Sequence, residues 1–347
     1  MSGRVGRSGG RLGGRGGGAL VACRFLTRGG WAGRLTTMKP HKCEISAEMV
    51  HSCRVLLGAR AAGYPSVPDN FDAQHLAHGR RNGVTLDLVH DYAPAGQLPF
   101  EDRYTVAWAR GHRSGRVVHN WKPVARWREA DTPEARERFR MAARRVRLLD
   151  RPCSIIVHHE PENDLAQRGV RKASSGAPEE YRRMWAVVRE VFAEEGAHEV
   201  VWGMAYMNYP KWDALVPDLY PGDDLVDWIW CNAYGSPERP DLVENIGRFA
   251  ALVDRHGIGV GKPLGIAEWG TKGLPVDLAA DYFDQARAFL ETPEADPIRA
   301  WMVFDSPGKE QRSDLRVGFD AEGRRAPEKA EAYRRFSRHR RFSCSGR

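Results

Sequence analysis

No apolar run in this 347-residue chain approaches the ~18 residues needed to cross a bilayer, so no membrane span is expected. The six cysteines (Cys23, Cys43, Cys53, Cys153, Cys231 and Cys344) form no CxxC pair and no zinc-type Cys/His spacing. HExxH is absent, which removes one zinc-hydrolase signature. The turn Gly58-Ala59-Arg60-Ala61-Ala62-Gly63 lacks the GxGxxG spacing of a dinucleotide-binding sheet. Residues 1–40 contain no acid at all, only eight Lys and Arg side chains.

That last absence corrects a first impression of the charge. The net +8 is carried by residues 1–40 and by residues 331–347, which add a further +5, so residues 41–330 stand at −5. Basic charge confined to low-complexity tails is poor support for nucleic-acid binding by the folded part, and none is expected. Residues 1–40 are Gly- and Arg-rich without apolar periodicity, and we expect them to be a disordered basic tail. Residues 339–347 read as a second basic tail, and 50–338 as one catalytic domain. Gly18-Ala19-Leu20-Val21-Ala22-Cys23 is too short for a signal-peptide core, and Met38 is a candidate alternative start. Cys153 and Cys231 fall on apolar strands as small hydrophobes, while pairing of Cys43 with Cys53 stays open.

From residue 54 the chain alternates short apolar runs with helical patterns. Strands are expected at 54–59, 86–92, 116–121, 154–160, 199–206, 227–235, 263–268 and 298–305, with a helical segment after each. Thr132-Pro133-Glu134 shows how these helices begin: a cap, a proline at the first position and an early acid. Eight such units in one domain predict a single-domain α/β fold, a (β/α)8 TIM barrel; a doubly wound sheet is the alternative.

Two strands end in carboxylates. Ser154-Ile155-Ile156-Val157-His158-His159-Glu160 is apolar along its length and titratable at its tip, and Pro161 stops the ladder. Leu264-Gly265-Ile266-Ala267-Glu268-Trp269 has the same design. In a barrel the strand tips converge on one face, so Glu160 on strand four and Glu268 on strand seven can flank one bond, as an acid and a nucleophile do in retaining glycosidases. For a single strand-end glutamate a surface salt bridge is the plainer explanation; two such tips beside His and Trp make it less so. Trp121, Tyr234, Trp269 and Trp301 lie near predicted strand tips and are candidate stacking partners for sugar rings, with Asn163, Asn208 and Asp305, together with Asp91, Asn120 and Asn232, as candidate hydroxyl partners. Strict alternation puts His158 on the face of Glu160, whereas a bulge would bring His159 inward. Reading His158, His159 and Glu160 as metal ligands lacks a further ligand cluster; no metal and no organic cofactor are expected.

These residues resemble glycoside hydrolase family 26, of the clan of retaining barrel hydrolases. The resemblance covers about residues 54–336. It is carried by His159-Glu160, by Tyr220-Pro221-Gly222-Asp223-Asp224-Leu225-Val226-Asp227-Trp228, by Tyr234, and by Lys262-Pro263 through Glu268-Trp269-Gly270. It implies Glu160 as acid/base, Glu268 as nucleophile, His159 as the inward histidine, Tyr234 as a hydrogen-bond partner of the nucleophile, and Trp121 and Trp269 beside the sugar. Members mostly cleave β-1,4-mannans, and some β-1,3-xylan or mixed-linkage β-glucan. Mannanases tend to follow the acid/base with Met-Asn-Gly and a tryptophan; here Pro161-Glu162-Asn163-Asp164 follows. The expectation is therefore a monomeric, endo-acting hydrolase of a β-linked polysaccharide or oligosaccharide, with a non-catalytic glycan-binding barrel as the competing reading. The substrate class argues for secretion.

Overall fold

The computed structural model describes residues 43–111, 115–149, 151–165, 174–308 and 314–344. The tail expected to be disordered, residues 1–40, lies outside them, as does the end of the expected C-terminal tail, 345–347. Eight parallel strands close into a barrel in sequence order: β1 Leu56–Ala61, β2 Leu88–Ala93, β3 Arg116–Trp121, β4 Cys153–Val157, β5 Val200–Tyr206, β6 Trp228–Gly235, β7 Leu264–Thr271 and β8 Ile298–Asp305. β1 pairs with β8 from Leu56↔Ala300 to Ala61↔Asp305, which closes the ring. A helix follows each strand: α1 Phe71–Asn82, α2 Arg103–Ala109, α3 Pro133–Val146, α4 Pro178–Glu194, α5 Val216–Leu219, α6 Leu242–Arg255, α7 Val276–Phe289 and α8 Pro327–Ser337. This is a (β/α)8 TIM barrel.

Local chemistry sets the helix ends. Asn70, Asp102, Thr132 and Asp241 accept backbone N–H bonds in the first turns of α1, α2, α3 and α6. Gly83 ends α1 in the left-handed conformation.

Strand alternation divides the side chains into two cores. Leu56, Leu88, Val118, Ile156, Val201, Ala205, Trp228, Trp230, Ala267, Ala300 and Met302 fill the barrel interior. The other face of each strand joins the helices in an outer layer that holds Trp121, Trp185, Trp202, Trp269 and Trp301. Trp228 and Trp230 stack at 4.7 Å inside the barrel. Gly203 on β5 and Gly265 on β7 make room for Trp230: a Cβ at either would come within 2.8 and 2.3 Å of its indole.

The N-terminal end of the barrel is plugged by Met49, which is 2% exposed and packs into the interior cluster. The plug is held by the Cys43–Cys53 disulfide, the pairing that sequence left open, and by the Trp228 indole donating to the Glu48 carbonyl at 2.8 Å. Residues 339–344, expected as part of a tail, pack onto the domain: Phe342 is buried and the Arg341 carbonyl accepts from the Val55 N–H at 2.8 Å.

Candidate active site

The C-terminal mouth of the barrel brings Glu160 and Glu268 together. β4 ends at Val157, and the chain then turns through two residues in the left-handed region, His158 (φ 48°) and Glu160 (φ 52°). Such a conformation costs a non-glycine residue of the order of 1–3 kcal/mol unless its surroundings hold it. They do. The His158 N–H donates to the Trp121 carbonyl at 2.7 Å, the Glu160 N–H to the Ala205 carbonyl at 3.0 Å, and the Tyr181 hydroxyl to the Val157 carbonyl at 3.1 Å.

The turn settles which histidine faces the site. His158 is buried away from the mouth as a brace: the Trp127 indole N–H donates to Nδ1 at 3.1 Å, so the ring proton is on Nε2, which donates to Asp164 Oδ2 at 2.9 Å. Asp164 also pairs with Lys122 at 2.5 Å. Burial pushes His158 down to about 4, so it is neutral. His159 turns to the mouth, edge-on to Tyr92 with ring centres 5.5 Å apart. Burial, then the Lys122 charge, holds His159 well below its ordinary value.

Glu268 owes its direction to an irregularity in β7. Gly265 and Ala267 face the interior, so strict alternation would send Glu268 outward and Trp269 inward. The β7–β8 register shifts between Ile266 and Trp269, and the β6–β7 register between Cys231 and Asn232. The extra residue turns Glu268 inward after Ala267 and sends Trp269 into the helix layer. Glu268 is then 7% exposed and faces a ring of neutral donors. Tyr92 donates to Oε1 at 2.7 Å, Tyr234 to Oε2 at 2.9 Å, and the Asn120 amide to Oε1 at 3.4 Å. Glu160 is held by the Asn232 amide on Oε1 at 2.6 Å and by that of Asn163 on Oε2 at 3.4 Å. Asn232 is the register partner of Glu268, so the side chain that holds one carboxyl lies beside the other.

Burial raises both carboxyls. For Glu268 burial and then the Glu160 charge push it up to about 7, against the pull of the two phenols. For Glu160 burial raises it, while Asn232 and Lys122 pull it down. Two carboxylates sharing one largely buried site titrate as a pair that keeps a proton toward neutral pH. One member can then donate a proton while the other stays anionic, and the larger set of donors to carboxylate oxygens is at Glu268.

Several residues expected at the site lie elsewhere. Trp121 is 1% exposed, packed on Phe139 and Phe192, with its indole donating to the Gln97 carbonyl at 3.1 Å. Trp269 and Trp301 pack edge to face, 5.2 Å apart, and against Phe336 of α8. None of the three presents a face to the mouth. For Trp121 and Trp301 the reason is parity, since Asn120, Met302 and Phe304 face inward and their neighbours face the helices; for Trp269 it is the irregularity in β7. Asp305 follows the same rule and is fully buried, bonded to His78 at 2.5 Å, to the Val317 N–H at 2.8 Å and to the Tyr64 hydroxyl. Asn208 is a buried clamp rather than a free hydroxyl partner. Its amide donates to the Asn232 and Asn245 carbonyls at 3.0 and 3.1 Å, and Arg248 donates to both of its oxygens. Asn163 and Tyr234 do lie at the mouth.

The aromatic wall of the mouth is Tyr92, Tyr234 and Phe304, with ring centres 6.4 and 6.3 Å from Phe304. Tyr92 was missed in sequence, although Leu88, His90 and Tyr92 share one face of β2. His90 lies beneath it and faces the Tyr92 oxygen at 3.3 Å through Nδ1; since that phenol donates to Glu268, His90 is the donor. Arg60 stands over the Tyr92 ring at 5.6 Å. Among the described residues no group of three or more His, Cys, Asp or Glu side chains is placed to hold a metal ion, and no helix is long and apolar enough to cross a membrane.

No family model matches the chain, and no curated protein matches it in sequence. Its fold is similar to several solved structures. A GH26 β-mannanase from Bacteroides ovatus is 15% identical with a TM-score of 0.54, over 83% of this chain and 89% of that one. A modular endo-β-1,4-mannanase from Cellulomonas fimi is 15% identical with a TM-score of 0.54, over 82% and 70%. The GH26 domain of an endo-β-mannanase/endo-β-glucanase from Prevotella bryantii is 15% identical with a TM-score of 0.52, over 85% and 92%. At these identities the likeness establishes the barrel fold.

Proposed function

We propose that this protein is a retaining glycoside hydrolase of family 26 type that cleaves a β-linked polysaccharide by a two-glutamate double displacement. The observation that carries the reading is the pair Glu160 and Glu268, held at the tips of strands four and seven in one mouth, close enough that the charge of Glu160 raises Glu268. Glu268, ionised, attacks the anomeric carbon. Glu160, protonated, gives its proton to the glycosidic oxygen as that bond breaks, leaving a glycosyl ester on Glu268. Glu160, now a carboxylate, takes a proton from water, which attacks the same carbon and frees Glu268. Two inversions leave the configuration retained. Tyr92, Tyr234 and Asn120 hold the nucleophile, and His159, Asn163 and Phe304 border the sugar.

β-1,4-Mannan, cleaved internally, is the substrate we favour. The resemblance to family 26, whose members mostly cleave β-1,4-mannans, supports it, as do mannanases among proteins of similar fold, while Pro161-Glu162-Asn163-Asp164 departs from the mannanase pattern. The test is chromatography and mass analysis of products from mannan, β-1,3-xylan, mixed-linkage β-glucan and cellulose, with Glu268→Ala as control. Short oligosaccharides from mannan, absent in the control, are expected. Product from another polymer alone would move the substrate; glycan binding without product from any of them would support a binding barrel instead.

A further inference from the structure

Glu162 stands two residues beyond Glu160, in the 3-10 turn Pro161–Asp164, and is 0% exposed. The mechanism above does not use it. Its Oε1 accepts the Met207 N–H at 2.9 Å, while Oε2 has no hydrogen-bond partner among the described residues. Burial pushes this carboxyl up to about 8, with the Glu160 and Asp213 charges adding to the effect, so it is a neutral acid at pH 7.

The bond to Met207 is one link of a closed circuit. Met207 precedes Asn208, whose amide donates to the Asn232 carbonyl at 3.0 Å. The Asn232 amide in turn donates to Glu160 Oε1 at 2.6 Å. The circuit thus runs from the turn of Glu160, through Glu162, the end of β5 and the end of β6, back to the Glu160 carboxyl. Both backbone corners of it, Glu160 and Asn208, are in the left-handed region, at φ 52° and 58°. A strained turn stays in place only if its surroundings over-determine it. The Glu160 N–H already ties the turn to the Ala205 carbonyl of β5, and among the described residues the Met207 N–H to Glu162 bond is the one side-chain link that adds to it, at the residue after β5.

We infer that Glu162 is a positioning residue for the acid/base: as a buried acceptor it locks the Glu160 turn to the end of β5, and so fixes where the Glu160 proton is delivered. This rests on the reading of Glu160 as acid/base. A proton acceptor role is not needed, only a neutral acceptor for the Met207 N–H, so glutamine should replace glutamate and an apolar side chain should not. Misplacing a general acid has a signature that general loss of packing lacks. It slows bonds whose leaving group must be protonated and spares bonds whose leaving group departs unaided.

The experiment compares full-length wild type, Glu162→Ala, Glu162→Met, Glu162→Gln and Glu160→Ala on two aryl β-mannobiosides, with 4-methylumbelliferone and 2,4-dinitrophenol as leaving groups. Glu162→Met keeps the volume filled if the alanine variant does not fold. Glu162→Ala or →Met should lose ~10²-fold or more in kcat/KM on the poor leaving group and less than about fivefold on the good one, following Glu160→Ala in kind. Glu162→Gln should recover most of the loss. Equal losses on both substrates, or no loss, in a folded variant would overturn the inference while leaving the site reading intact. If wild type cleaves a polymer other than mannan, the two aryl glycosides carry that polymer's disaccharide instead; if Glu160→Ala itself shows no leaving-group dependence, or wild type hydrolyses neither compound of the matching sugar, the site reading falls and this inference with it.

Discussion

Glu268 is a carboxyl surrounded by donors that carry no charge. Two phenols and an amide stabilise its anion, but burial and Glu160 outweigh them and hold it near 7. The sign of the consequence is fixed. A native value above the ordinary 4.5 means that the folded protein binds the proton more tightly than the unfolded chain, so stability falls as pH rises from about 4.5 through about 7. Glu268→Gln removes that penalty. Denaturant unfolding should show the variant gaining on wild type by up to about 2–3 kcal/mol at pH 8, and by much less at pH 4; a gain independent of pH would contradict the assignment. On the alkaline side activity should fall once the proton leaves Glu160, which burial raises above the ordinary carboxylate range. Tyr92→Phe removes the shortest bond to the nucleophile. We expect ~10- to 100-fold lower kcat/KM and an acidic limb of the pH–rate profile displaced to higher pH, since the anion loses a donor.

At the scale of the element, the eight strands were legible because apolar β-formers are bounded by Pro, Gly and caps, and the two acid tips because a polar group at the end of an apolar strand is conspicuous. The irregularity in β7 was not legible. Ala267 and Glu268 both face inward, and no residue type in Ile266-Ala267-Glu268-Trp269 announces the slip, which is set by pairing with β6 and β8. That slip is why Trp269 reads as a stacking platform in sequence and packs on Phe336 in the structure. Trp121, Trp301 and Asp305 needed no irregularity. Counting parity from the inward Asn120 and Phe304 would have placed them in the outer layer, but which member of each pair faces inward is decided by the closed barrel. Parity likewise would have found Tyr92. The interior packing makes its own prediction: Gly265→Ala drives a methyl to 2.3 Å from the Trp230 ring, and should destabilise by about 1–3 kcal/mol, read as a lower Tm. An unchanged Tm would mean that Trp230 has room to move.

At the scale of the molecule, the barrel separates stability from chemistry. The N-terminal end carries the plug, Met49 and the Cys43–Cys53 bond; the C-terminal end carries the carboxylates. A disulfide closing a loop of this size contributes about 2–3 kcal/mol. Cys53→Ser should therefore lower Tm by several degrees and leave kcat unchanged; a large fall in kcat would show that the two ends are coupled. The barrel was legible from the alternation of eight strands and helices, whereas the plug was not, because residues 43–53 have no periodicity and its contacts lie across the sequence. The central claim is that Glu160 and Glu268 act as a pair in a double displacement. The most direct measurement is the anomeric configuration of the first product, followed by proton NMR during cleavage of a β-1,4-manno-oligosaccharide by wild type and by Glu268→Ala. The account predicts the β anomer first, with the α anomer growing in later by mutarotation, and no product from the variant. An α anomer formed first, or turnover that survives Glu268→Ala, would contradict it.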